Sequence, residues 1–202
     1  MKGIIKSTLI LLIITLASGF LLGFVNDLTK DSIEERNIEA KIKSLQSVVG
    51  EEYRVDLDEA VDNAGVEGFE NITFEEVYKV YDADDAFAGI VMLLYTKEGY
   101  GDEMELSLGI LRSSKKEETG RISGIDFLSL NETPGLGMNA DEPEFKNQFK
   151  DKTTDGLSVS KNGASDHEIE AISGATITSN AVTEAVNAGL TFFNEYIAKE
   201  GI

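Results

Sequence analysis

Of 202 residues, 37 are acidic and 18 basic, one is histidine and none is cysteine. The lack of cysteine excludes disulfides, thiolate nucleophiles and iron–sulfur clusters held by cysteine; the single His167 supports neither a histidine-based metal centre nor a Ser/His/Asp triad. A formal net charge of −19 argues against nucleic acid or anionic headgroups as ligands, and the length suffices for one membrane anchor plus one ordinary domain.

The first element is an apolar run, Ser7 to Val25, 19 consecutive positions without a charge. As a helix rising about 1.5 Å per residue, it matches the hydrocarbon core of a bilayer. Lys2 and Lys6 precede it and Asp27, Asp31, Glu34 and Glu35 follow, so the positive-inside rule predicts a cytoplasmic N-terminus and an extracytoplasmic remainder. Ala17-Ser18-Gly19 would serve as a signal-peptide cleavage site, but the apolar run continues through Val25, which favours an uncleaved anchor. Gly19 and Gly23 form a small-x3-small pair suited to packing against a neighbouring transmembrane helix. All 37 acidic residues lie after Val25 with 16 of the basic ones, so that part carries a net −21.

Ile33, Ile38, Ile42, Leu45, Val48 and Val49 recur at helical spacing and predict an amphipathic helix continuing from the anchor, stopped by Gly50. Residues 51–75 are acidic and weakly patterned, and no element is assigned there; Asp56, Asp58 and Glu59 read as a solvated face. Strands are predicted at Val77–Tyr81, Gly89–Tyr95, Met104–Leu111 and Ile122–Leu130. Val91 to Tyr95 is apolar throughout, as in a strand buried on both faces. Met104, Leu106 and Leu108 alternate with Glu105, Ser107 and Gly109, as in a half-exposed strand. Gly99-Tyr100-Gly101 and Lys115 to Gly120 supply turns, and the short spacing predicts an antiparallel meander. Asp82-Ala83-Asp84-Asp85 reads as a solvated acidic turn, because Ala86 and Phe87 break the EF-hand pattern. Tyr78, Tyr81, Tyr95 and Tyr100 read as sheet aromatics.

Glu132-Thr133-Pro134-Gly135-Leu136-Gly137 follows the fourth strand, and Pro134-Gly135 fits the centre of a type II turn with Gly135 at positive φ. Ser173-Gly174-Ala175-Thr176-Ile177-Thr178-Ser179 then leads into a final helix, about Thr178 to Lys199, with Val182, Val186, Gly189, Phe193 and Ile197 as its apolar stripe and Gly201 as its end. Small residues and hydroxyls at a helix N-terminus suit an anion, because the first N–H groups are unpaired and the dipole favours negative charge. Taken alone they suit ordinary N-capping better, and the anion reading stays open beside it. The expected class is α+β: an N-terminal transmembrane helix, then an antiparallel sheet with packed helices. The expected divisions are an anchor over 1–26, a membrane-proximal helix over 27–50 and an extracytoplasmic domain over 51–202.

Ser173-Gly174-Ala175-Thr176 resembles the flavinylation motif of the FMN-binding domain in the RnfG component of Rnf complexes, which are ion-translocating ferredoxin:NAD oxidoreductases. The NqrC component of the Na+-translocating NADH:quinone oxidoreductase carries a similar domain. Glu132-Thr133-Pro134-Gly135-Leu136-Gly137 resembles the flavin-pocket loop of the same family. Anchor, loop and motif occur here in the family's order, and the shortness of the chain favours the Rnf branch. Two departures stand out. Glu170 occupies a position where the family commonly has Asp, and Leu130 one where relatives often carry His.

The resemblance implies an electron-transfer subunit with FMN joined through a phosphoester to Thr176. Ser173, Gly174, Ala175 and Thr178 would shape the phosphate end; Glu132, Thr133, Gly135, Leu136 and Gly137 would contact the flavin body. No side chain is expected to act as acid, base or nucleophile in turnover. The acidic outer domain is expected to oppose negative charge gained by the flavin and so lower its potential. Implied partners are other membrane subunits carrying flavin or iron–sulfur centres, with ferredoxin and NAD handled on the cytoplasmic side, and a flavinyl transferase acting after export. The competing expectations are a stand-alone extracytoplasmic FMN carrier and a non-redox anchored scaffold in which both motifs are only a turn and a cap.

Overall fold

The computed structural model describes residues 2–60, 66–113 and 120–200. The chain divides into two compact units, Met1–Lys41 and Ile42–Ile202. Helix α1 (Lys2–Val49) is continuous through both. Within it, Gly3–Lys30 is 28 residues long, apolar enough to cross a membrane, and unburied. Its threonine hydroxyls are satisfied inside the helix: Thr8 donates to Ile4 O at 2.9 Å, Thr15 to Leu11 O at 3.0 Å and Thr29 to Val25 O at 2.9 Å. That removes most of the cost of carrying a hydroxyl in an apolar medium.

In the second unit, Gly50 ends α1 with φ +98°, its N–H bonding Gln46 O at 3.1 Å. Five strands follow: β1 (Arg54–Ala60), β2 (Ile72–Tyr81), β3 (Phe87–Gly99), β4 (Asp102–Arg112) and β5 (Gly120–Leu130). They pair in chain order and antiparallel throughout, which is the expected meander. Strand β1 falls in the acidic stretch whose residues predict no element. It is an edge strand, where acidic residues are tolerated and discourage pairing with another chain. Arg54 anchors it to the acidic turn, 2.9 Å from Asp85. The turn is closed on itself, with Asp82 Oδ1 accepting from the N–H groups of Asp84 and Ala86 at 2.9 and 3.0 Å.

Beyond β5 come a 3₁₀ turn over Gly137–Asp141, the short helix α2 (Pro143–Lys146), strands β6 (Ser158–Ser160) and β7 (Glu168–Glu170), and helix α3 (Thr176–Glu200). Strands β6 and β7 pair in parallel, apart from the meander. Asn187 of α3 ties β6 down by bonding both Leu157 N at 2.8 Å and Leu157 O at 2.9 Å. The turn expected over Lys115 to Gly120 falls almost wholly outside the described residues, as does Gly201.

The sheet is covered on both faces. Ile90, Met92 and Leu94 of β3 and Met104, Leu106, Leu108 and Ile110 of β4 face one core, with Val182, Ala185, Val186 and Phe193 of α3. Tyr78, Val80, Val91 and Leu111 face another with Leu45, Val48 and Val49 from the end of α1. Strand β4 is therefore not half-exposed, contrary to its alternation. Ser107 is fully buried and its hydroxyl lies 2.7 Å from that of Ser44. Small residues on that face mark close approach of a helix rather than contact with water. A Cβ on Gly109 would stand 2.7 Å from Val48 O. Replacing Gly109 with Ala forces the end of α1 off the sheet. We expect a loss of about 1–3 kcal/mol, read as a lower denaturant midpoint of the full chain in detergent, with Ser107 hydroxyl packing disturbed alongside.

Candidate functional site

Three stretches remote in sequence converge at the N-terminus of α3. The first is the β3–β4 turn, Tyr100-Gly101. A Cβ on Gly101 would lie 2.8 Å from the Asn131 carbonyl carbon, so glycine lets this turn rest against the end of β5. The contact places the Tyr100 N–H 2.9 Å from Glu132 Oε1. The same oxygen accepts the Thr178 hydroxyl at 2.9 Å, joining the second stretch to the third. Gly137 leaves the room for this: a Cβ there would lie 2.6 Å from Glu132 Cδ and 2.8 Å from Thr178 Oγ1.

Between Glu132 and Gly137 the chain makes the expected turn, with Leu136 N bonding Thr133 O at 3.1 Å and Gly135 at φ +75°. Leu136 is thereby directed at the second motif, its Cδ2 3.0 Å from where a Gly174 Cβ would be. Downstream, Lys146 holds the loop to the sheet, bonding Asp141 at 2.6 Å and Asp126 at 2.8 Å. Burial works against its charge, but those two carboxylates outweigh it and leave its pKa above the ordinary lysine value.

Helix α3 begins at Thr176, two residues earlier than expected, so Thr176 sits in the first turn. The first backbone bond of the helix runs from Ser179 N to Ala175 O at 3.0 Å, so the N–H groups of Thr176, Ile177 and Thr178 precede it. The side-chain bracing is done by Ser179, whose hydroxyl accepts from Ile172 N at 3.0 Å and donates to Ala175 O at 2.9 Å. Thr178 is spent on Glu132. Among the described residues, no hydrogen bond engages the side chain of Thr176.

These stretches enclose an open cavity of about 480 Å³, lined by Tyr100, Glu132, Thr133, Leu136, Gly137 and Gly174 to Thr178. That volume lies within the usual range for small-molecule sites. Its rim is apolar and uncovered, with Leu136 43%, Ile177 53% and Tyr100 69% exposed. A planar ring with apolar faces, tied by a phosphate to the helix start, fits this combination.

Of the residues singled out in sequence, the cavity brings together Glu132, Thr133, Leu136, Gly137, Gly174, Ala175, Thr176 and Thr178. Gly135 faces open space. Ser173 lines a neighbouring, wider cavity of about 1040 Å³ with Glu142, Glu144, Gln148 and Glu170. Tyr100 and Ile177 are lining residues that the motifs do not announce. Tyr100 stands in a turn rather than on a strand, a placement that its two flanking glycines signal. Glu170 ends β7, its backbone clamped by Gln148, which accepts from Glu170 N at 2.7 Å. Leu130 packs against the core beneath α3. His167 is exposed and shares a 2.8 Å hydrogen bond with Thr154.

A profile of the FMN-binding domain matches residues 99–191, and one of the RnfG N-terminal region matches residues 1–48. The first match defines an FMN-binding domain, which follows a helix long enough to cross a membrane. The chain is 43% identical over 89 residues to the G component of the proton-translocating ferredoxin:NAD(+) oxidoreductase complex of Clostridium ljungdahlii, a match covering 44% of this chain and 45% of that one. It is 31% identical over 173 residues to the G component of the ion-translocating oxidoreductase complex of Methanosarcina acetivorans, covering 81% and 83%. In structure it is similar to NqrC of Shewanella oneidensis, with a TM-score of 0.50, 25% identity and 61% of each chain covered. The chain belongs to the RnfG family of ion-translocating oxidoreductase subunits, to which NqrC is related.

The Glu132–Thr178 bond carries a local prediction. Thr178→Val keeps the shape of the side chain and removes the donor to a charged acceptor, which costs about 1.5–3 kcal/mol. Thermal unfolding of the flavin-free chain should show that loss. In the Glu132→Ala background the same change should cost markedly less, as a double-mutant cycle would read.

Proposed function

We propose that this chain is an electron-transfer subunit of a membrane ion-translocating ferredoxin:NAD oxidoreductase, and that it carries FMN covalently on Thr176 through a phosphoester. The observation that supports this best is the unengaged Thr176 side chain in the first turn of α3, beside a cavity whose other wall is the Thr133–Gly137 loop. The unpaired N–H groups of Thr176 and Ile177 suit the phosphate, and Leu136, Ile177 and Tyr100 offer apolar cover for the ring. When bound, the flavin supplies the electron transfer, while the protein supplies position and electrostatics.

On this reading the helix over Gly3–Lys30 anchors the chain, with the N-terminus cytoplasmic and the sheet domain outside. Its partners are membrane subunits holding flavin or iron–sulfur centres, and a flavinyl transferase that acts after export. A bond to the cofactor makes sense there, because a flavin lost by dissociation outside the cell would not be readily replaced.

The test is co-expression with a flavinyl transferase, denaturation, and inspection of the gel under ultraviolet light. The expected result is fluorescence that survives denaturation, with the mass of FMN less one water on the Thr176 peptide, and none in Thr176→Ala. A colourless chain, from cells whose transferase modifies a control substrate, would overturn covalent attachment and favour an anchored scaffold.

A further inference from the structure

Among the described residues, Glu132 is the one carboxylate lining the 480 Å³ cavity, and no lysine or arginine lines it. No ion pair among those residues involves it. Its position is fixed from two sides, since Oε1 holds both the Tyr100 N–H and the Thr178 hydroxyl. No hydrogen bond among the described residues reaches Oε2, which lies against Gly137, where only glycine leaves it room. The carboxylate is therefore half-buried and held from two sides in the wall shared with Thr176.

We propose that Glu132 is the positioning residue that sets the potential of the bound flavin, by holding an uncompensated negative charge beside it. The proposal rests on the FMN reading above. Reduction with two electrons and one proton adds one negative charge to the flavin, and a carboxylate held in the wall of the same cavity opposes that gain. The many acids elsewhere on the domain act differently. Among the described residues none of them lines the cavity, and exposed charges more than about 10 Å away are largely screened at 0.1 M salt. Glu142, Glu144 and Glu170 line the separate, wider cavity. The potential is thus governed by one charge rather than by the net charge of the domain.

Glu132→Gln isolates the charge, because the amide oxygen still accepts from Tyr100 and Thr178. The flavinylated full chain in detergent is titrated with a mediated chemical reductant, beside Glu132→Asp and Glu144→Gln. The midpoint is an intensive quantity, so partial flavinylation does not alter it. We expect Glu132→Gln to move to more positive potential, Glu132→Asp to stay near the wild type, and Glu144→Gln not to move. The flavin-free Glu132→Gln chain should melt below the wild type but above Glu132→Ala, since both accepted bonds remain on a neutral acceptor. A Glu132→Gln midpoint that stays put or falls overturns the proposal, as does an equal shift in Glu144→Gln.

The wild type alone provides a second test should that variant fail to fold. Its midpoint should change little between low and high salt. A steep rise with salt would mean that the screened surface acids set it and would overturn the proposal. A wild type with no flavin on Thr176 would instead defeat the reading on which the proposal stands, so the two failures are told apart before any midpoint is compared.

Discussion

The cavity exists because one carboxylate oxygen accepts two hydrogen bonds. Glu132 Oε1 joins a hairpin turn at Tyr100, a loop at the end of β5 and the first turn of α3, and these lie more than thirty residues apart along the chain. Hydrogen bonds to a charged acceptor are the stronger kind, worth about 1.5–3 kcal/mol each. They are also directional, so they fix where the stretches meet as well as that they meet. Three glycines follow from that meeting. Gly101 lets the turn touch Asn131, Gly137 gives the carboxylate its space, and Gly174 at φ +79° makes room for Leu136. In this loop and motif the glycines serve protein–protein approach first, and the wall that results is available to a ligand.

The clasp in turn rests on a sheet packed on both faces. Each face of the meander is packed by a helix that the other face does not share: α3 on one, the last turns of α1 on the other. Ser44, Asp126 and Lys146 form a chain of polar contacts from the end of α1 over the edge strand β5 to α2, with Ser107 bonded to Ser44. Lys146 then reaches Asp141, immediately after the cavity-forming loop. The loop is therefore fastened at its start by Glu132 and at its end by Lys146. A site built this way on strands and helices holds its geometry better than one carried by free loops.

How much of this could be read in the residues follows from what each pattern encodes. The apolar run Ser7 to Val25 reports a helix long enough to cross a membrane, the apolar strand runs and the stripe Val182–Val186–Phe193 report core-facing positions, and the corresponding elements lie there, although the alternation over β4 misreports its second face. Pro134-Gly135 encodes its turn through φ alone. Two features were not legible. Strand β1 hides because an edge strand may carry Asp at every other position without cost. The second covered face of β4 hides because a helix that approaches closely selects Ser107 and Gly109, residues that also suit water. The site shows the same division. Thr176, Leu136 and Gly174 stand out by type and spacing, whereas the residues announce Glu132 as a lining residue only, and its second role as the tie between stretches is revealed by the pairing with Tyr100 N and Thr178.

The charge distribution bears on why a covalent bond suits a carrier of this kind. Among the described residues, the cavity offers no lysine or arginine to a phosphate. What it offers is the start of a helix, worth about 0.3–1 kcal/mol for an exposed anion and up to about 2 in a partly buried geometry. Against that stands Glu132 in the wall. The ring gains apolar contact from Leu136, Ile177 and Tyr100, but all three remain substantially exposed, so the cavity does not enclose what it holds. Noncovalent forces alone would hold an anionic cofactor loosely here, and a cation added to tighten it would cancel the Glu132 charge. The proposed phosphoester at Thr176 resolves that conflict: it fixes the cofactor without neutralising the one charge that the proposed tuning of its potential requires.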